Sequence, residues 1–255
     1  MANKAKTKVL NLYCGIGGNR KLWSDELDIT AVEIDPNIAS IYKDFFPNDN
    51  VITGDAHEYL RQHFREYDFI WASPPCPTHS VLQITRYYNE KLKYPDMTLY
   101  QEIIWLQTFF KGKWVIENVT PYYTPLIQPS FKIDRHLFWS SNFIFTAQFL
   151  NNYTAIRDNP KAMAEQYGFD LTKYAKKTEI RKVLRNCVVP EIGKYIFDSV
   201  AGGAIVAKII KFTDEKFKKL FSLPCDFFGI DTKKARCVYK ALEIYERMKI
   251  KNVKG

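Results

Sequence analysis

The sequence predicts an α/β domain built on a mainly parallel sheet with helices on both faces. Short apolar runs, rich in β-branched residues, recur through the first half of the chain. Amphipathic stretches with apolar residues at helical spacing separate them. Strand, helix and strand repeated in this way place the strands side by side and parallel, buried on both faces.

The runs "KVLNLY" (8–13) and "ITAVEI" (29–34) read as the first two strands, with "NVITG" (50–54), "YDFIWAS" (67–73) and "KWVIENV" (113–119) after them. "PNIASIYKDFF" (36–46) and "MTLYQEIIWLQTFF" (97–110) read as helices between strands. After "RHLFWSSNFIF" (135–145) the pattern weakens, and residues 146–184 are polar, lysine-rich and tyrosine-bearing with no clean period. Regular structure resumes at "VVPEIGKYIFDSVAGGAIVAKII", and a basic, helical-looking stretch with a Leu223-Pro224 break follows. The expected organisation is a core over 1–145, an insertion over 146–184, a return to the core over 185–211 and a helical tail over 212–255.

With 255 residues, 46% hydrophobic and 25% charged, the chain can bury a full core and reads as globular. Its net charge of +9 suits a polyanionic partner. The five cysteines are scattered and odd in number, and no signal peptide is recognisable, so a reducing cytoplasm is expected. The sequons at Asn118 and Asn152 are then accidental. The longest apolar run, Ala204 to Ile210, is interrupted by Lys208 and too short to cross a bilayer. The chain has no Cys-x-x-Cys pair and no His-Glu helix pair, so no metal is expected.

Three strand ends carry chemistry. "LYCGIGGNR" places Gly15, Gly17 and Gly18 after the first strand, where glycine allows a tight turn and close approach to a ligand. A dinucleotide fingerprint would need glycine where Arg20 stands, and the Gly-Lys-Ser/Thr of a Walker loop is absent, so diphosphate is disfavoured. An ordinary glycine turn also fits. Glu33 ends the second strand, where a carboxylate can accept both ribose hydroxyls, and Asp55 follows the third. Either acid alone fits a helix cap or a solvated surface group. Together they outline a nucleoside without phosphates, which points to S-adenosylmethionine. The fourth strand runs into "SPPCPTHS", whose prolines end it abruptly and present Cys76 on a stiff turn. A small hydrophobe capping the strand would look the same.

The ordered set "NLYCGIGG", "AVEID", "GDA", "SPPCPTHS", "WVIENV" and "RNCVVP" resembles the DNA cytosine methyltransferases that act at carbon 5. The resemblance covers residues 8 to about 200, apart from 146–184. It implies a Rossmann-like class I S-adenosylmethionine-dependent methyltransferase fold and methyl transfer to cytosine in double-stranded DNA. It also implies that Cys76 is the nucleophile that adds to cytosine carbon 6, which makes carbon 5 nucleophilic. A free thiol has a pKa of about 8.5, so the site is expected to favour the anion, through Arg135 and a helix N-terminus. Glu117 would hold and protonate cytosine N3, and Asn118 would hold the loop. Arg135 in "DRHLFW" would approach the cytosine carbonyl, with His136 a competitor in register. Tyr13, Gly15, Gly17, Glu33, Asp55, Pro75 and Asn186 would bind the cofactor, and Asn186 also fits a helix cap.

The target must leave the duplex to meet Cys76. The segment 78–96, with Ser80, Arg86, Lys91 and Lys93 among Tyr87, Tyr88 and Tyr94, fits a nucleic-acid lid or a solvated loop. Asn151, Asn152, Arg157, Lys161, Gln166 and Arg181 are candidates for base or phosphate contacts, and a site of about two to four base pairs is expected. The sequence departs from the family at Asn11 (usually an acid), Pro77 (usually glutamine) and Arg185 (usually glycine), and its recognition region is short. "FTDEKFKKLFSLPCDFFG" (212–229) faintly resembles a family helix that normally precedes the Asn186 motif. Related enzymes use the same chemistry on tRNA, and a decayed nucleic-acid-binding protein is a further alternative. A zinc deaminase is excluded by its missing ligands. A monomer in the cytoplasm of a bacterial or phage-infected cell is expected.

Overall fold

The computed structural model describes residues 5–87, 93–142, 159–176 and 178–201. Among the described residues, seven strands form one sheet: β1 (Lys8–Leu12), β2 (Asp28–Glu33), β3 (Asn50–Thr53), β4 (Phe69–Ala72), β5 (Lys113–Val119), β6 (Phe131–Ile133) and β7 (His136–Ser140). Their order is β3-β2-β1-β4-β5-β7-β6. β1 to β5 run parallel, and β7 is antiparallel to both β5 and β6. The chain winds outward from β1 to β3 and then crosses back to β4, so the strand order reverses between β1 and β4. In doubly wound sheets a ligand crevice opens at the carboxyl ends beside such a reversal.

Neighbouring side chains of β1 enter separate layers because strand residues alternate in direction. Val9 packs in a cluster with α1 (Pro36–Phe45), α5 (Pro160–Tyr167), α6 (Ile180–Arg185) and α7 (Pro190–Ala201). Leu10 and Leu12 pack on the other face with α2 (Ala56–His63) and α4 (Thr98–Phe109). Burial on both faces is why these strands read as near-continuous apolar runs. α3 (Leu82–Tyr87) is a short helix after β4.

Helix starts follow their capping side chains. Asp35 accepts from the amides of Asn37 and Ile38 at the head of α1, with Pro36 at its first position. Asn159 caps α5 in the same way, and Gly168, at φ +68°, ends it. Within the polar segment 146–184, the described part contributes Met163, Tyr167, Phe169, Leu171 and Tyr174 to the core beside α1. Those apolar side chains are spread over a helix, a 3-10 turn and loops, so no single period shows in the sequence. The first part of that segment, with Asn151, Asn152 and Arg157, lies outside the described residues, as does the tail.

Arg20 explains the broken glycine fingerprint. Its guanidinium is buried and donates to both carboxylate oxygens of Asp49, at 3.0 and 3.3 Å, and to the Trp23 carbonyl. Tyr42 donates to the same carboxylate at 2.8 Å. Breaking one partner of such a buried pair typically costs about 3–5 kcal/mol, so this position serves structure. Asn11, where the resemblance leads one to expect an acid, forms a reciprocal amide pair with Asn19, at 2.7 and 3.3 Å.

Candidate active site

The carboxyl ends of β1 to β5 open into a cleft of about 910 Å³. Tyr13, Gly15, Glu33, Asp55, Pro75, Cys76, Ser80, Arg86, Glu117, Arg135 and Asn186 all line it. Gly17 does not. Its φ is +85°, and an added Cβ would lie 2.3 Å from the Phe46 ring, so glycine is needed there for the turn and for packing. Lys91 lies outside the described residues.

The β1–β3 end of the cleft is acidic. Glu33 is buried, and its two carboxylate oxygens accept the amides of Gly15 and Asp35, each at 3.0 Å. Burial raises its pKa, and those amide bonds pull the other way. Asp55 accepts the Glu58 amide and heads α2. Ile34, beside Glu33, is 69% exposed, an apolar surface for a ring. Tyr13 sits at φ +54°, a costly backbone for a non-glycine residue, and its phenol donates to the buried Glu102 at 2.5 Å. Glu102 also bonds His57 Nδ1 at 3.1 Å, which raises the His57 pKa. A carboxylate fixed by backbone amides and an exposed apolar side chain fit an adenosine. S-adenosylmethionine therefore fits this end of the cleft.

Cys76 begins a tight turn, its carbonyl accepting from the amides of His79 and Ser80. His79 is buried, and its Nδ1 bonds the Tyr123 hydroxyl at 2.6 Å, which ties the turn to the loop after β5. Asn118 donates to the Pro74 carbonyl at 3.0 Å and anchors the other side of the same loop. Burial raises the Cys76 pKa, and the nearby Glu117 carboxylate adds to that rise; Arg135 acts the other way but does not prevail. The expectation of a site that favours the anion is thereby corrected. No helix begins at Cys76, because α3 starts six residues later at Leu82.

Glu117 is buried on β5, and His136 Nε2 lies 3.7 Å from its Oε1. Arg135 occupies the turn between β6 and β7, and its carbonyl accepts the Thr120 amide at 2.7 Å. Its guanidinium donates to the Arg185 carbonyl at 3.0 Å. Arg135 and His136 thus both reach the site, one toward Cys76 and one toward Glu117, so the two competitors have separate places. Asn186 is the exposed C-cap of α6, where its backbone amide bonds the Lys182 and Leu184 carbonyls. Ser80 accepts the Leu82 amide through its hydroxyl, and Arg86 is exposed on α3.

Sequence reading missed Glu102. Its spacing carries the sign: three residues after Leu99 and four before Leu106, it falls on the buried stripe of α4. No group of His, Cys, Asp and Glu among the described residues could hold a metal ion, and none of their helices is long and apolar enough to cross a membrane.

Residues 7–125 match the family model of the C-5 cytosine-specific DNA methylases. A comparison with curated protein sequences returns no match. Similar solved structures include a mutant of Spodoptera frugiperda DNMT2, 28% identical over 45% of this chain and 36% of that one, with a TM-score of 0.32. A SAM-dependent methyltransferase from Agrobacterium tumefaciens is 16% identical over 48% of this chain and 41% of that one, with a TM-score of 0.31. A protein described as a DNA modification methyltransferase encoded within an E. coli prophage is 19% identical over 47% and 34%, with a TM-score of 0.32. The chain spans between 34% and 41% of the length of these three. The match to the C-5 cytosine-specific DNA methylases thus takes in β1 to β5, which carry Tyr13, Glu33, Asp55, Cys76 and Glu117 at or near their ends.

Proposed function

We propose that this protein methylates carbon 5 of cytosine in DNA through a covalent bond between Cys76 and carbon 6 of a flipped base. One observation carries the reading: Cys76, Glu117 and Arg135 line the same cleft as Tyr13, Glu33 and Asp55. Cys76, Glu117 and Arg135 stand after β4, on β5 and in the turn between β6 and β7, and Tyr13, Glu33 and Asp55 stand at the ends of β1, β2 and β3.

S-adenosylmethionine, when bound, supplies an electrophilic methyl group. Glu33 would accept the ribose hydroxyls through the lone pairs that its two amide bonds leave open. Tyr13 and Ile34 would wall the base. At the other end, Glu117 would accept from the cytosine amino group and give a proton to N3 as sulfur adds to carbon 6. That proton offsets the charge entering the ring. The Cys76 thiol, held mostly protonated by burial, must lose its proton to solvent before it adds. Once carbon 5 carries the methyl group, loss of the carbon-5 proton to water would expel Cys76 and restore the ring. Arg135 would stabilise the developing thiolate and the cytosine carbonyl. The turn is held by Asn118 on one side and by His79 on the other, which keeps sulfur in place without substrate.

The decisive test is methyl transfer from labelled S-adenosylmethionine to duplex DNA and, in parallel, to a tRNA transcript. Wild type should methylate DNA, and Cys76→Ala should not while still binding cofactor. DNA containing 5-fluorocytosine should trap wild type covalently, because fluorine cannot leave as a proton. Normal turnover by Cys76→Ala would remove the covalent step. Transfer to RNA alone would change the substrate and leave the chemistry standing.

A further inference from the structure

The wall of the cleft carries both signs of charge. Glu33, Asp35 and Asp55 line it at the ends of β2 and β3. Three of the cations that line it belong to one short helix, whose N-cap Glu179 lines it too. α6 presents Arg181, Lys182 and Arg185, all exposed and all lining the cleft that holds Cys76. Residues three and four apart share a helix face, so Arg185 stands beside both of the others. The opposite face holds Val183 and Leu184, which are buried in the core and fix the helix in position. Among the described residues none of the three side chains pairs with a carboxylate.

The helix is also tied to the chemistry. Arg135 donates to the Arg185 carbonyl at 3.0 Å, so the last turn of α6 holds the guanidinium that acts on Cys76. Arg185 stands where the resembling family has glycine, so a cation has been added at the point where α6 meets the site. An exposed cluster of cations beside a nucleophile attracts a polyanion, and each phosphate it neutralises releases counterions.

We infer that α6 is a clamp for the nucleic-acid backbone, with Arg181, Lys182 and Arg185 neutralising phosphates next to the target base. This rests on the proposed cytosine methylation of nucleic acid. Base discrimination is not its task, because phosphate contacts position the substrate without reading sequence. The clamp sets the height of the backbone over Cys76, and Arg135 links that height to the nucleophile.

The test compares two variants of equal charge in the full chain. One is Arg181→Gln/Lys182→Gln/Arg185→Gln. The other, Lys6→Gln/Arg65→Gln/Lys111→Gln, removes three cations just before β1, β4 and β5, at the amino ends of the strands. Affinity is measured against salt on whichever of duplex DNA or tRNA transcript the wild type methylates, and cofactor binding is measured alongside. The α6 variant should flatten the slope of log affinity against log salt by about 0.9 per lost contact, or about 2.7 in all. Its affinity should fall on the order of a hundredfold at 0.1 M salt, with cofactor affinity unchanged. The amino-end variant should keep most of the slope. Equal losses in the two variants, or no change in the first, would overturn the clamp while the methylation assay still stands. A wild type that binds neither nucleic acid would overturn the clamp and the functional reading together.

Discussion

Tyr13 and Glu102 meet in a 2.5 Å hydrogen bond that joins the first loop of the site to a helix on the covered face of the sheet. Glu102 has no solvent exposure, and its Oε2 is buried without a hydrogen-bond partner. Burial and Glu102 together push the Tyr13 phenol far above its usual range, so it stays a donor at any working pH. A hydrogen bond to a charged group contributes about 1.5–3 kcal/mol. Tyr13→Phe should therefore lower unfolding stability by about that much, read from the urea midpoint at unchanged slope. Glu102→Gln, which keeps an acceptor, should lose less. Equal stability in Tyr13→Phe and wild type would mean that the bond contributes nothing.

The same carboxylate makes stability depend on pH through His57. Its pKa is raised, chiefly by the hydrogen bond to Glu102. A raised histidine contributes its full stability below the unfolded value of about 6.5 and loses it as pH rises through the folded value. Wild type should lose this increment between slightly acid and alkaline pH, and His57→Asn should not. Thermal melts of the two across that range would give parallel curves if the pair were inert.

The half-buried thiol predicts the shape of the activity profile. With its pKa raised by burial and by Glu117, Cys76 is mostly protonated at neutral pH. Below that pKa the thiolate fraction grows about tenfold per pH unit, so kcat/KM should climb with pH on the acid side. Arg135 opposes the rise, so Arg135→Gln should shift the climbing limb to higher pH as well as lowering its height. A limb that stays in place would show that Arg135 does not act on the thiolate.

Glu33 should matter to cofactor binding more than to folding. Loss of a charged hydrogen-bonding partner predicts that Glu33→Ala weakens S-adenosylmethionine by about 1.5–3 kcal/mol in calorimetry. Glu33→Gln should recover part of this, because an amide oxygen can still accept from one hydroxyl. Unchanged affinity in both would place the ribose elsewhere.

Gly18 has no room for a side chain. A Cβ there would lie 2.1 Å from Cys187 Sγ and 2.2 Å from the Val188 carbonyl. Gly18→Ala should destabilise by about 1–3 kcal/mol or more, as overpacking does. Cys187→Ala should fail to rescue it, because the second clash is with backbone. Full rescue would show that the sulfur alone sets the limit.

Much of the candidate site's placement was legible because its residues sit at strand ends, where short motifs and apolar runs mark their place. Cys76, Glu117, Glu33 and Asp55 could be found from the strands that carry them. Arg20 could be seen only as a missing glycine, since its partner Asp49 is remote in sequence and joined to it by the fold. Glu102 was hidden among the apolar residues of α4, where one acid looks like part of a polar face. The hairpin that carries Arg135 was half visible: β7 had an apolar run, but β6 has only three residues and too little pattern to read. The Cys76 environment depended on which charge came nearer and how deeply sulfur was buried, and no spacing records either.

The glycine loop after β1 closes against residues from the far end of the described chain. Gly18 touches Cys187 and Val188, and Gly193 leaves space for the backbone of Asn19. During synthesis the loop emerges early, and the segment that fills its outer side appears some 170 residues later. At typical rates of about 5–20 residues per second, the loop waits on the order of ten seconds or more for its other half. A nascent chain ending before α6 has every described strand of the sheet but an open glycine loop. The order of translation thus delays closure of that loop until the last described helices have left the ribosome.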